Sequence, residues 1–284
     1  MFRHTDQPTI LCVVRQVFLL GLAAALMFCS LGTRPATAQQ AVVRDPQALT
    51  LIASSLNALT GSVSVNDATL QTTAAYVAGS DEESGTAILI ARVNQESIVQ
   101  LNLSGGIRQE IRNGPAGAWS GPDATVHAMA NHNCLTEASW FFPALTLEAI
   151  AADPTLAVSY LGPDSSKGAT LLHLQVARLL PGQSAGATAL ISTLSTMDIY
   201  FDPKTSLPLV LDFNTHPDTD ANTNLPVEIQ FGNYQNANGW LVPLRIQKYL
   251  QRTLLLDLTV SNVLVNSGVP ASEFALPAST GGAQ

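Results

Sequence analysis

The sequence predicts a mainly-β (α+β) domain, an antiparallel sheet with one wet face and helices covering the other. Three observations predict it. Apolar and polar residues alternate in short runs, strictly so in Val227-Glu228-Ile229-Gln230-Phe231, which is the period of a half-buried strand. Turn-forming stretches separate such runs, namely Asp202-Pro203-Lys204-Thr205-Ser206-Leu207-Pro208 and Asn236-Ala237-Asn238-Gly239-Trp240, the second holding the Asn-Gly step of a tight hairpin. From Thr125 to Ala151 the alternation stops, so a helical insertion interrupts the sheet there.

The first segment is an address. Arg3 and Arg15 supply positive charge, Val17 to Gly32 is an apolar run, and Ala36-Thr37-Ala38 has small residues at a cleavage spacing. This is a secretory signal over residues 1–38, cleaved near Ala38, and the run falls short of the roughly 20 residues of a membrane span. Bulky Phe28 stands before Cys29, where a lipoprotein signal needs a small residue. The expected location is therefore the periplasm or the exterior.

Asp45-Pro46 opens a helix, because aspartate caps free amides and proline fits the first turn. Leu49, Ile52, Leu56 and Leu59 form its apolar stripe, and Gly61 ends it. Strands follow over 68–78, 86–93 and 96–103, rich in Thr, Val, Ile and Leu, and the chain then turns into 107–112. In the insert, His127 to Ala130 and Thr146 to Ala151 favour short helices around Trp140-Phe141-Phe142-Pro143, the densest aromatic cluster of the chain. Strands resume over 156–161, 169–179, 197–201, 207–213, 227–231, 241–250 and 254–265, with a small-residue stretch from Pro181 to Thr188. The domain spans 39–277 with its insert at about 125–151, and 278–284 reads as a disordered tail.

Composition excludes several functions. Loss of residues 1–38 removes three arginines and one aspartate, leaving 10 basic against 20 acidic residues, a net charge of −10. An acidic surface disfavours nucleic acid and anionic membrane surfaces. Only 12% of the chain is charged, about half the usual share. Cys134 is the single cysteine after cleavage, so no internal disulfide staples the fold.

No G-x-S-x-G elbow, P-loop or G-x-G-x-x-G motif occurs, and no enzyme activity is expected. His127, His132 and Cys134 form an H-x4-H-x-C cluster of zinc-type ligands. They define the alternative expectation, a zinc-binding enzyme or sensor. The oxygen-rich stretch from Asp218 to Asn224 has Thr223 and Ile229 where a calcium loop needs glycine and glutamate. Trp140, Phe141 and Phe142 are candidates for packing across the mouth of the sheet and gating an apolar cavity.

The layout resembles the periplasmic outer-membrane lipoprotein carriers, the LolA/LolB-like half-barrels. Asp198-Ile199-Tyr200-Phe201-Asp202-Pro203-Lys204-Thr205 resembles the family's strand followed by a D-x-x-T turn. Asn233-Tyr234 to Pro243 resembles its Y…G…P hairpin, and Val263-Leu264-Val265-Asn266 with Phe274-Ala275-Leu276-Pro277 resembles its ending. The resemblance implies a curved half-barrel sheet with an N-terminal helix and a central helical plug. It implies a lipid or lipoprotein acyl chain as partner, with envelope proteins as further partners, and no cofactor or catalysis. It also implies an early-strand arginine that holds the plug by its backbone carbonyls, for which Arg108 and Arg112 lie in the matching segment.

Overall fold

The computed structural model describes residues 42–61, 63–180 and 182–278; the expected signal segment and tail residues 279–284 lie outside them. Helix α1 spans Pro46–Thr60 as its cap predicts. Asp45 Oδ1 accepts the Gln47 amide at 2.8 Å, and Gly61, at φ 61°, closes the C-terminus. Its buried stripe is Ala48, Leu51, Ile52, Ser55 and Leu59. Expected stripe members Leu49 and Leu56 are half-buried flanks of it.

Among the described residues thirteen strands follow. The first six are β1 (Asp67–Ala78), β2 (Asp81–Arg92), β3 (Glu96–Leu103), β4 (Gly106–Asn113), β5 (Ala116–Ser120) and β6 (Val126–Met129). The other seven are β7 (Leu156–Asp164), β8 (Leu171–Arg178), β9 (Met197–Phe201), β10 (Pro208–Thr215), β11 (Leu225–Ala237), β12 (Trp240–Leu250) and β13 (Thr253–Val265). Helix α2 is Pro143–Ala152 and α3 is Ala185–Ser195.

All the strands belong to one open sheet of order β6-β5-β4-β3-β2-β1-β13-β12-β11-β10-β9-β8-β7, with every strand pair antiparallel. This is a half-barrel, as expected. Two meanders meet where the first strand pairs the last, from Ala68 opposite Val265 to Tyr76 opposite Leu256. Strands β6 and β7 are therefore opposite edges of the sheet although they are neighbours in sequence. The chain between them must cross from one edge to the other, and that crossing is the plug.

Local structure brings one correction and one further helix. His127 to Met129 is strand, not helix, because β6 pairs with β5 from Val126 opposite Ser120 to Met129 opposite Gly117. Sheet pairing satisfies those backbone groups and overrides a weak helical preference. The plug accordingly begins after Met129, with a 3₁₀ turn at Asn131–Cys134, and continues through α2. Residues 185–195 are helical, beginning inside the small-residue stretch Pro181 to Thr188, to which the sequence assigns no element. Ser184 caps this helix by accepting the Ala187 amide at 3.2 Å, and only Leu194 and Ser195 are buried, so no apolar stripe announced it.

The motifs of the last third have physical roles. Asp202 Oδ1 accepts the Lys204 amide at 2.7 Å and Ser206 takes φ 58°, which closes the turn between β9 and β10. Tyr234 donates its hydroxyl to the Pro208 carbonyl at 2.6 Å, tying the hairpin of β11 and β12 to β10. Asn266, at φ 54°, accepts the Asn66 amide at 2.7 Å and donates to the Ser64 carbonyl at 3.0 Å. Phe274, fully buried, packs with Ile98 and Ile111 on the outer face. The main core lies on the other, concave face, where α1, the plug and residues such as Leu70, Leu89, Phe201, Ile229 and Leu258 pack together.

Candidate functional site

Strand alternation decides what faces the plug. In β4, Arg108 lies opposite Leu101 and Glu110 opposite Val99. Leu101 and Val99 belong to the concave core, so Arg108, Glu110 and Arg112 share its side. Their neighbour Ile111 belongs to the outer cluster. In β12, Val242 and Ile246 are concave core residues, which puts Lys248 on the same face. A bulge after Lys248 shifts the pairing with β13 and frees Leu255 as the extra residue.

These residues surround two hollows. One, of about 370 Å³, is lined by Tyr76, Val99, Leu101 and Leu256 on its apolar side. The other, of about 250 Å³, reaches Arg112, Thr136 and Met129. Glu110, Trp119, Trp140, Lys248 and Leu255 line both. Both are of the order of small-ligand sites. A separate groove of about 510 Å³ lies on the sheet face that carries Asp198, Asp212 and Glu228. There Lys167 Nζ meets Asp212 at 2.5 Å and Glu228 at 2.6 Å, so its cation is already neutralised.

The plug is held at both ends by arginines. Arg112, buried, donates from Nη2 to the Thr136 carbonyl at 2.7 Å. Arg44, just ahead of α1, donates to the Ile150, Ala151 and Asp153 carbonyls at 2.7, 3.1 and 3.1 Å, the open C-terminus of α2. Arg108 makes no contact of this kind. It pairs with Glu83 at 2.6 and 3.0 Å and sits 4.8 Å from the Tyr76 ring centroid. The Arg108 hydrogen bond holds the Glu83 carboxyl below the usual range.

Of the three plug aromatics only Trp140 lines either of these two hollows. Its ring lies edge-on to Phe141, with centroids 5.4 Å apart, and its face receives the Lys248 ammonium at 4.7 Å. Phe141 and Phe142 are buried in the core and line neither hollow. Burial pushes the Lys248 pKa down, the Glu110 carboxylate opposes this and the Arg112 guanidinium adds to it. Among the described residues no hydrogen bond or ion pair engages that ammonium.

The His/Cys cluster is dispersed. His127 stacks on Trp119 with centroids 4.3 Å apart. His132 Nε2 meets the Pro217 carbonyl at 3.1 Å, and its ring is edge-on to His216 at 5.7 Å. Cys134 Sγ lies 3.5 Å from Met129 Sδ, and burial raises its thiol pKa. No group of three or more His, Cys, Asp or Glu side chains among the described residues is placed to hold a metal ion. Asn133 instead clips the end of β10 to the plug, accepting the His216 amide at 2.9 Å and donating to its carbonyl at 2.8 Å.

An open antiparallel half-barrel with a plug across its concave face is the LolA-like fold. A LolA superfamily protein from Nitrosomonas europaea is similar to this chain with a TM-score of 0.51 and 11% identity, over 80% of this chain and 97% of that one. A DUF1329 family protein from Desulfovibrio piger has a TM-score of 0.49 and 9% identity, over 81% and 96% of the two chains. A domain described as outer-membrane lipoprotein-sorting, from Vibrio parahaemolyticus, has a TM-score of 0.48 and 10% identity, over 80% and 96%. No family model and no curated protein sequence matches.

Proposed function

We propose that the protein is an exported carrier that holds an acyl chain of a lipid or lipoprotein between its plug and its sheet. The observation that carries this reading is the pair of hollows on the concave face, with Trp140 and Leu255 common to both and Val99, Leu101 and Leu256 in the larger. The LolA-like fold and the motif resemblance support it, and the N-terminal signal supports a periplasmic site of action near the outer membrane. Each methylene moved from water into such a site contributes roughly 0.8 kcal/mol, so a long chain binds with no covalent step and no cofactor. Such a carrier takes up and hands over its load by opening the plug rather than by chemistry.

Native mass spectrometry of the protein isolated from its own cell envelope tests the reading. The expected spectrum contains acyl species released on unfolding. Protein that is isolated empty and also fails to bind a fluorescent fatty acid would overturn it.

A further inference from the structure

Among the described residues, Lys248 and Arg112 stand in the concave site without an ion-pair partner. Lys248 projects from β12 beside the apolar residues Ile246 and Leu250, and among the described residues its ammonium has the Trp140 π face at 4.7 Å as its one close partner. Arg112 lines the smaller hollow and is 3% exposed. Its Nη2 is spent on Thr136 and the Cys134 thiol lies beside the guanidinium, but its Nε–H is buried with no acceptor in hydrogen-bond geometry. Thr136, Trp140, Lys248 and Arg112 all line that same hollow.

Two carboxylates also line it, Glu110 and Asp218, so its formal charges balance, but neither forms an ion pair with Lys248 or Arg112. Glu110 lies beyond ion-pair distance of Lys248, since no pair within 4.0 Å joins them, although its field reaches the ammonium. Asp218 is occupied by the Trp119 indole N–H at 3.2 Å, the Ala130 amide at 3.1 Å and the Asn133 amide group at 3.2 Å. A buried N–H without an acceptor is costly to leave unpaired, and the part-exposed Lys248 ammonium faces the hollow with no ion pair of its own. Their placement together inside the concave face leaves both groups free to receive an anion from outside.

We propose that the concave site takes an anionic amphiphile, a long-chain carboxylate, whose head group is received by Lys248 Nζ and Arg112 Nε while its chain lies against Trp140, Leu255 and Leu256. This rests on the acyl-carrier reading and adds the head-group charge as its selectivity. Trp140 serves both parts, as an apolar wall for the chain and as the platform that orients Lys248.

The test is competition of hexadecanoate, its methyl ester and hexadecanol against a fluorescent fatty acid on the purified full-length protein. Hexadecanoate should displace the probe at about tenfold lower concentration than the two neutral compounds, the worth of one charge-assisted hydrogen bond. Lys248→Met keeps the apolar stem and should erase that preference, so that acid and ester displace the probe at equal concentration. Lys248→Arg should retain the preference, and circular dichroism of both variants checks the fold. Equal displacement by acid and ester in the wild type would overturn the head-group proposal and leave the carrier reading standing. No displacement by any of the three, with no probe binding, would overturn both. A preference that survives in Lys248→Met would overturn the assignment of Lys248.

Discussion

The guanidinium of Arg44 meets the carbonyl of Ile150 at 2.7 Å across 106 residues of sequence. The same group reaches Ala151 and Asp153, so one side chain closes the C-terminus of α2 and places a cation at the negative end of the helix dipole. Arg44 itself is fixed by its bridge to Val158 and by the Asp45 amide, which donates to the Val158 carbonyl at 2.8 Å. The entry into α1, the edge strand β7 and the plug are thereby one unit.

Arg44→Met should lower stability by about 2–3 kcal/mol, since hydrogen bonds from a charged donor are worth more than neutral ones. Hydrogen exchange should quicken at the amides of α2 before it does in β1 or β13. Arg44→Lys keeps the charge without the fork and should fall between the two. A urea midpoint unchanged in Arg44→Met would count against this clamp.

At the seam of the two meanders, Asn266 combines a left-handed backbone at φ 54° with two side-chain hydrogen bonds to Asn66 and Ser64. Asn266→Gly keeps the backbone comfortable and loses the bonds, at about 1 kcal/mol. Asn266→Ala loses the bonds and adds left-handed strain, for about 2 kcal/mol in all. Chemical denaturation of the two variants gives the order, and a more stable alanine variant would contradict it.

Gly85 lies in β2 where a Cβ would fall 2.0 Å from the Asn102 carbonyl oxygen. That is backbone meeting backbone, which no rotamer change relieves. Gly85→Ala should cost about 1–3 kcal/mol and disturb the pairing of β2 with β3. The thermal midpoint reads the loss; a variant as stable as the wild type would show that the strands can separate without penalty.

Alternation and turn chemistry made most of this fold legible. Strands 96–103 and 197–201 and the cap Asp45-Pro46 were readable because local preference and tertiary role agree there. Strand β6 was not, because its partner β5 is short and small-residued and His127 to Ala130 carry no alternation. The site was legible in part. Trp140 announced itself by its aromatic neighbours, yet Phe141 and Phe142 serve the core, a distinction that needs the third dimension. Arg44 had no local signal, since its acceptors lie beyond a hundred residues away. Lys248 had one that went unused: counting by twos from Val242 through Leu244 and Ile246 places its charge on the apolar face.

Glu137 supplies a pH test of the plug. It is 3% exposed, accepts a hydrogen bond from Gln95 Nε2, and has the Arg178 guanidinium at 3.9 Å. Burial dominates over both and lifts its pKa from 4.5 to about 7, with Arg112 also opposing the rise and Asp153 adding to it. The folded protein therefore holds a proton that the unfolded chain has lost between about pH 4.5 and 7. The contribution of Glu137 to stability is fully present below the unfolded value and falls as pH rises through that window. The shift corresponds to a loss on the order of 3 kcal/mol by pH 8. Glu137→Gln stays neutral throughout, so its stability relative to the wild type should improve by that amount between pH 4 and pH 8. Paired urea titrations at the two pH values measure the difference, in which every other titrating group cancels. A constant offset between variant and wild type would mean that Glu137 titrates in the fold as it does in the unfolded chain.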